Sequence, residues 1–165
     1  MEYPNELSIR ITGQAGQGIE TIGLALARLF KDSGFYIFAN RDYMSRIRGG
    51  NNYVQLRISD RPVNSPRMSP NIIFCLDGHS VSIHLQNLAQ GGVIIADIKK
   101  FNLTDVDNRF FDLPMYDLAT KIGGSELFVN TVGLGVLAAI TGRPFHQVET
   151  ELKDTNKCKK TEIIA

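Results

Sequence analysis

The stretch Ile9-Arg-Ile-Thr-Gly-Gln-Ala-Gly-Gln-Gly18 decides how this chain is read. A short β-like run (Leu7, Ile9, Ile11) leads into it, and a helical pattern leads out. Gly13, Gly16 and Gly18 permit tight turning and close approach of another group to the backbone. A helix starting near Gly18 would aim its free N–H groups and the positive end of its dipole back over the turn, which suits a phosphate or other anion. Gln14 and Gln17 belong to the same turn as candidate contacts.

Beyond the turn, Ile19, Ile22, Leu26, Leu29 and Phe30 recur at helical spacing, and Gly34 is placed to stop the helix. Phe35 to Ala39 then reads as a buried second strand, giving the opening of a βαβ unit. Against the dinucleotide fingerprint G-x-G-x-x-G, the middle glycine is Ala15. The second strand runs out into Asn40-Arg41 with no acid at the ribose-binding place, Asp42 lying past the strand in this reading. These two departures count against an NAD site. The plainer alternative is that the glycines only allow strand and helix to pack closely.

The second unusual stretch is Asn40-Arg-Asp-Tyr-Met-Ser-Arg-Ile-Arg-Gly-Gly50. Arg41, Arg46 and Arg48 cluster here and Arg57, Arg61 and Arg67 follow, with Asp42 and Asp60 interspersed. The planar guanidinium suits bidentate contact with carboxylate or phosphate. Ser45, Arg46, Arg48, Gly49 and Gly50 combine charge, hydroxyl and an open backbone, and are candidate anion contacts. The later arginines read equally well as a solvated basic face.

Tyr53 to Ile58 alternates and is expected to be a strand with one wetter face, antiparallel or peripheral. Ile72 to Leu76 and Val93 to Ala96 are continuous apolar runs, read as buried strands that end at Asp77 and Asp97. Ligands in open α/β sheets sit outside the carboxyl ends of such strands, but turn or capping roles suit both aspartates as well. Helices are expected over Ser80 to Ala89, Tyr116 to Ile122, Thr131 to Ile140 with Asn130 as N-cap, and from Pro144 onward. Arg109 to Leu113 is a short strand candidate. The expected fold is α/β: a three-layer, Rossmann-like, mostly parallel sheet with helices on both faces.

With 165 residues the chain fits one domain, and 43% apolar and 21% charged residues are ordinary for a globular protein. The net charge of +1 argues against a general nucleic-acid binder. No apolar run is long enough for a bilayer, and Met1 to Glu6 carries no signal-peptide pattern, so the cytoplasm is the expected location. Cys75 and Cys158 form no C-x-x-C, which leaves neither an iron–sulfur ligand set nor a thiol redox motif. His79, His84 and His146 have no metal-ligand spacing. No catalytic nucleophile–base pair and no metal site are expected in this chain. Residues 1–156 read as the domain, with 157–165, basic and then apolar, as a linker or the start of a following domain.

Gly13-Gln-Ala-Gly-Gln-Gly18 taken with Ser45-Arg-Ile-Arg-Gly-Gly50 resembles the gamma-type domain of 2-oxoacid:ferredoxin oxidoreductases. Members of that family carry a G-x-G-G-Q-G-like turn and an S-x-x-R-G-G element after the second strand. Here Ala15 replaces one glycine. The resemblance extends to the strand at Tyr53–Ile58, the strand ending at Asp77 and a helix start at Asn130. It covers residues 7–155. It implies oxidative decarboxylation of a 2-oxoacid to an acyl-coenzyme A, with electrons passing to ferredoxin. It also implies that thiamine diphosphate, magnesium and iron–sulfur clusters lie in alpha and beta partner domains or subunits. On this basis Gly13, Gln14, Gly16, Gln17, Gly18, Ser45, Arg46, Arg48, Gly49, Gly50 and Asn130 are expected at a shared coenzyme A or interface site. The chain alone is expected to be inactive and to work in a multisubunit complex or homo-oligomer. The alternatives are a stand-alone nucleotide- or NAD(P)-binding module and a purely structural interface domain.

Overall fold

The computed structural model describes residues 6–43 and 51–154. Ser45, Arg46, Arg48, Gly49, Gly50, Cys158 and the expected linker 157–165 lie outside the described residues.

The apolar runs assemble a six-stranded sheet with spatial order β2-β3-β1-β4-β5-β6. The strands are β1 (Glu6–Gln14), β2 (Tyr36–Tyr43), β3 (Asn51–Ser59), β4 (Ile72–Cys75), β5 (Val93–Ala96) and β6 (Phe110–Asp112). β1, β4, β5 and β6 pair in parallel. β3 is antiparallel to both of its neighbours, β1 and β2. Thus β1, helix α1 (Ile19–Asp32) and β2 follow one another as the sequence predicts, but β3 lies between the two strands. β3 is therefore antiparallel, as expected, yet interior to the sheet.

Alternation along each strand sends side chains to two different layers. Ile9, Ile11, Leu56, Ile58 and Phe74 join α1, α3 (Met115–Gly123), α4 (Val129–Ile140) and α5 (Phe145–Asp154) in the larger core. Ile73, Cys75, Ile94 and Ala96 face the opposite side and pack with Val81 of α2 (Gly78–His84). Among the described residues, helices thus cover both faces, four against one. α2 is shorter than its apolar pattern predicts because the chain tightens into a 3₁₀ turn at Leu85–Asn87. Gly34, at φ 85°, closes α1 as expected, its N–H reaching the Lys31 carbonyl at 2.9 Å.

The polar side chains in the middle of β1 are shielded from water. Ser8, Arg10 and Thr12 are all buried, as is Gln55 on β3. The later arginines likewise have local partners: Arg57 and Arg67 both pair with Glu6, at 2.8 and 3.5 Å, and Arg61 lies 3.8 Å from Asp60.

Candidate functional site at the switch point of the sheet

β1 and β4 are parallel neighbours whose following helices leave to opposite faces of the sheet. Such a topological switch opens a crevice beyond the strand ends. The glycine turn forms one wall of it. Gly16 and Gly18 sit at φ 91° and 82°, in the left-handed region where only glycine is relaxed. Gly18 is the N-cap of α1, as the sequence predicts. Gly13 is required for another reason: a methyl group there would lie 2.5 Å from Gln17 Oε1 and 3.0 Å from Leu76 Cβ.

Gln17 binds the turn to the end of β4. Its Oε1 accepts the Gln14 N–H at 2.6 Å, and its Nε2 donates to the Leu76 carbonyl at 3.2 Å. The Tyr116 hydroxyl donates to the same carbonyl at 2.6 Å. Tyr116 thus belongs to the site, although its spacing marked only a helix. Burial first, then the charges of Asp77, Glu126 and Asp97, push its hydroxyl pKa up to about 12.

The two strand-end aspartates act mainly on the backbone. Asp77 Oδ1 accepts the Ser80 N–H at 2.8 Å and caps α2. Asp97 accepts from the Lys100 and Tyr116 N–H groups at 3.0 and 3.3 Å. The remaining oxygen of Asp77, Oδ2, is buried without a hydrogen-bond partner and lies 3.5 Å from the Cβ position of Gly13. The inner side of the crevice therefore carries an acceptor and repels anions.

Asn130 enters the site by a route the sequence did not reveal. It is not an N-cap: α4 begins at Val129, and Asn130 lies in its first turn. The start signal is Ser125, whose hydroxyl accepts the Leu127 N–H at 3.2 Å and caps a 3₁₀ turn, Glu126–Phe128, that feeds straight into α4. The Asn130 side chain is left free to lie against Gly18, with Nδ2 2.9 Å from that glycine's Cβ position. Gly13, Gln14, Gly16, Gln17, Gly18 and Asn130 are thus brought together.

Asp42 falls within β2 rather than past it. It pairs with Tyr53 of β3, which pairs with Thr12 of β1. The acid is two strand spacings from β1, about 9.6 Å. A dinucleotide site needs it on the strand adjacent to β1. The inserted β3 therefore removes the ribose contact as well as the fingerprint glycine.

Behind the site, under α2, lies a buried polar network. Arg10 Nε and Nη2 donate to Gln55 Oε1 at 2.9 and 2.7 Å, and its guanidinium stacks 4.4 Å from the centre of the Tyr53 ring. Arg10 Nη1 meets His84 Nδ1 at 3.0 Å, and His84 Nε2 meets Asn51 Oδ1 at 2.7 Å. Because arginine only donates, Nδ1 is the acceptor and Nε2 carries the proton. Burial and then the Arg10 charge lower the His84 pKa to about 4, so the ring is neutral near pH 7. This network escaped the sequence reading because Ser8, Arg10 and Thr12 alternate like a solvent face. Among the described residues, no group of three or more His, Cys, Asp or Glu side chains is placed to hold a metal ion.

Residues 8–165 match the family model described as pyruvate ferredoxin/flavodoxin oxidoreductase. The chain is 30% identical over 140 residues to ketoisovalerate oxidoreductase subunit VorA of Methanothermobacter thermautotrophicus, covering 84% of this chain and 29% of that protein. It is 27% identical over 143 residues to 2-oxoglutarate synthase subunit KorC of Methanocaldococcus jannaschii, covering 81% of this chain and 74% of that subunit. The fold is similar to that of the keto/oxoacid ferredoxin oxidoreductase gamma subunit of Geobacter sulfurreducens (TM-score 0.74, 23% identity, 88% of this chain and 84% of that one). It is also similar to part of 2-oxoglutarate:ferredoxin oxidoreductase from Magnetococcus marinus, solved with 2-oxoglutarate, coenzyme A and succinyl-CoA bound (TM-score 0.85, 20% identity, 98% of this chain). The chain spans 29% of the length of that structure's chain.

Proposed function

The chain belongs to the pyruvate ferredoxin/flavodoxin oxidoreductase family, and we propose that it serves as the gamma component of a 2-oxoacid:ferredoxin oxidoreductase. In this reading it works in the cytoplasm, packed against alpha and beta domains that carry thiamine diphosphate, magnesium and iron–sulfur clusters. It forms the coenzyme A side of a shared centre. Coenzyme A supplies the thiol that takes up the acyl group left when the 2-oxoacid is oxidatively decarboxylated, and ferredoxin receives the electrons. Relatives named for ketoisovalerate and for 2-oxoglutarate support a 2-oxoacid as the substrate class.

The observation that carries the reading is the family match across residues 8–165, with the glycine turn at the switch point of the sheet. The residues present fit an anionic group on the outer side of the turn. Gly16 is exposed, and nothing lies within 4 Å of its Cβ position, which leaves the backbone open to a phosphate. Asp77 Oδ2 keeps such a group away from Gly13. The turn therefore supplies half of an anion site, and Arg46 and Arg48 are proposed to supply the cationic half.

Calorimetric titration of the assembled enzyme with coenzyme A tests this. A hydrogen bond to a charged group contributes about 1.5–3 kcal/mol, so Arg48→Ala should raise Kd by about tenfold or more. Unchanged affinity and unchanged turnover in that variant would remove the arginine from the site. The isolated chain should show no 2-oxoacid oxidation.

A further inference from the structure

The buried network behind the glycine turn has a feature that stability does not account for. Arg10 is only 7% exposed, yet among the described residues no carboxylate lies within ion-pair distance of it. The side chains that accept its hydrogen bonds are neutral: Gln55, His84 and Asn87. A buried charge held only by neutral groups is a poor source of stability compared with an apolar side chain of similar volume. What Arg10 does impose is a direction.

The guanidinium can only donate, so His84 Nδ1 accepts and His84 Nε2 donates to Asn51 Oδ1 at 2.7 Å. With its oxygen committed in this way, Asn51 turns Nδ2 to Ser80 Oγ, which accepts at 2.7 Å. The Thr12 hydroxyl lies 3.0 Å from both Asn51 Oδ1 and the Asn52 carbonyl and shares its hydrogen between them. Every side chain of this relay is buried, so bulk water does not compete for its bonds. Asn51 thereby ties three segments together at the carboxyl end of β1. Thr12 immediately precedes Gly13. Asn51 itself stands opposite Gln14 in the β1–β3 ladder. Ser80, in the first turn of α2, is held by Asp77 Oδ1, and the other oxygen of that carboxylate faces Gly13.

We propose that Asn51 and His84 are positioning residues for the anion site at the glycine turn. Arg10 orients His84, His84 orients the Asn51 amide, and Asn51 sets where the end of β1 presents the turn to coenzyme A. The inference rests on the reading of that turn as part of the coenzyme A side of a shared centre. Neither residue touches the ligand; both act through residues 12–14. Backbone N–H groups aimed at an anion lose their hold when displaced by a fraction of an ångström. Breaking the relay should therefore weaken coenzyme A binding and spare the chemical step.

The test is steady-state kinetics of the assembled enzyme with coenzyme A varied. His84→Leu fills the space but ends the relay, and Thr12→Val keeps the shape of the strand side chain without its hydroxyl. Each should raise the KM for coenzyme A about tenfold and leave kcat within about twofold. His84→Gln offers Oε1 to Arg10 and an N–H to Asn51, and should hold KM within about twofold of wild type. A space-filling role for position 84 predicts the reverse order, with leucine milder than glutamine. Wild-type KM in either Thr12→Val or His84→Leu, an equal rise in His84→Leu and His84→Gln, or a fall in kcat alone overturns the positioning inference. If His84→Leu does not fold, Thr12→Val at an unchanged melting temperature decides the matter. Gly16→Val, in the turn itself, is the reference. If it raises KM while the relay variants do not, only the positioning inference falls. If it too leaves KM unchanged, the reading of the turn as a coenzyme A site falls with it.

Discussion

Two glycines of α4, two positions apart, should respond to the same substitution in opposite directions. Gly133→Ala and Gly135→Ala each gain about 0.8–1 kcal/mol of helix propensity. At Gly135 the new methyl group meets nothing within 4 Å, so that gain should survive as added stability. At Gly133 the methyl would lie 2.7 Å from Phe74 Cζ, 2.9 Å from Phe74 Cε1 and 3.3 Å from Ile22 Cδ1. Phe74 and Ile22 are at most 1% exposed, so neither side chain has room to retreat. Overpacking a close-packed core costs about 1–3 kcal/mol. The propensity gain cancels in the comparison, leaving Gly133→Ala less stable than Gly135→Ala by about 1–3 kcal/mol, or about 2–12 °C in Tm for a domain of this size. Urea titration and calorimetry of the two variants measure this difference. Phe74→Leu should reduce the penalty of Gly133→Ala in a double-mutant cycle. Equal shifts of the same sign in both variants would refute the placement of α4 on Phe74.

Three further outcomes follow from the polar groups. His84 is held neutral with a pKa of about 4, whereas the unfolded chain protonates its histidines near 6.5. The unfolded state therefore binds the extra proton first, and stability should fall as pH drops from about 6.5 to 4. His84→Gln should flatten that slope in pH-dependent urea melts; an unchanged slope would exclude His84 as its source. Tyr116, with its pKa raised to about 12, keeps its contribution below the unfolded value near 10 and loses it as pH rises through 12. Ultraviolet titration should show one late-ionising phenol that is missing in Tyr116→Phe. Gln17→Ala removes two hydrogen bonds of about 0.5–1.5 kcal/mol each, so the Gln14 amide should exchange faster with deuterium while the core amides of β4 keep their protection. Unchanged Gln14 exchange would show that Gln17 does not hold the turn.

The strand, glycine turn and helix at residues 6–32 were legible because their causes are local. Apolar alternation, three glycines within six residues and a 3.6-residue period each act over neighbouring positions. The same holds for β4 and β5, whose continuous apolar runs fit no environment but a sheet buried on both faces. Asn130 stands as a candidate site residue only through its resemblance to a family motif, and the structure places it against Gly18. Its mechanical role was misread, because Ser125 and the 3₁₀ turn begin the helix one turn earlier.

What the sequence alone determined was the set of elements, the α/β class and the glycine turn, each governed by contacts within a few residues. Tertiary structure decided how they meet. It placed β3 between β1 and β2, setting Asp42 two strands from the turn. It set Gln55 and Asn51 of β3 and His84 of α2 beside Ser8, Thr12 and Arg10, burying these polar side chains in one hydrogen-bond network. It also brought Tyr116, forty residues along the chain, to the Leu76 carbonyl beside Gln17. Periodicity reports that one face of an element differs from the other. Which chain segment covers that face is set by long-range packing, and here that packing tied the glycine turn to the end of β4 and set Asn130 against it.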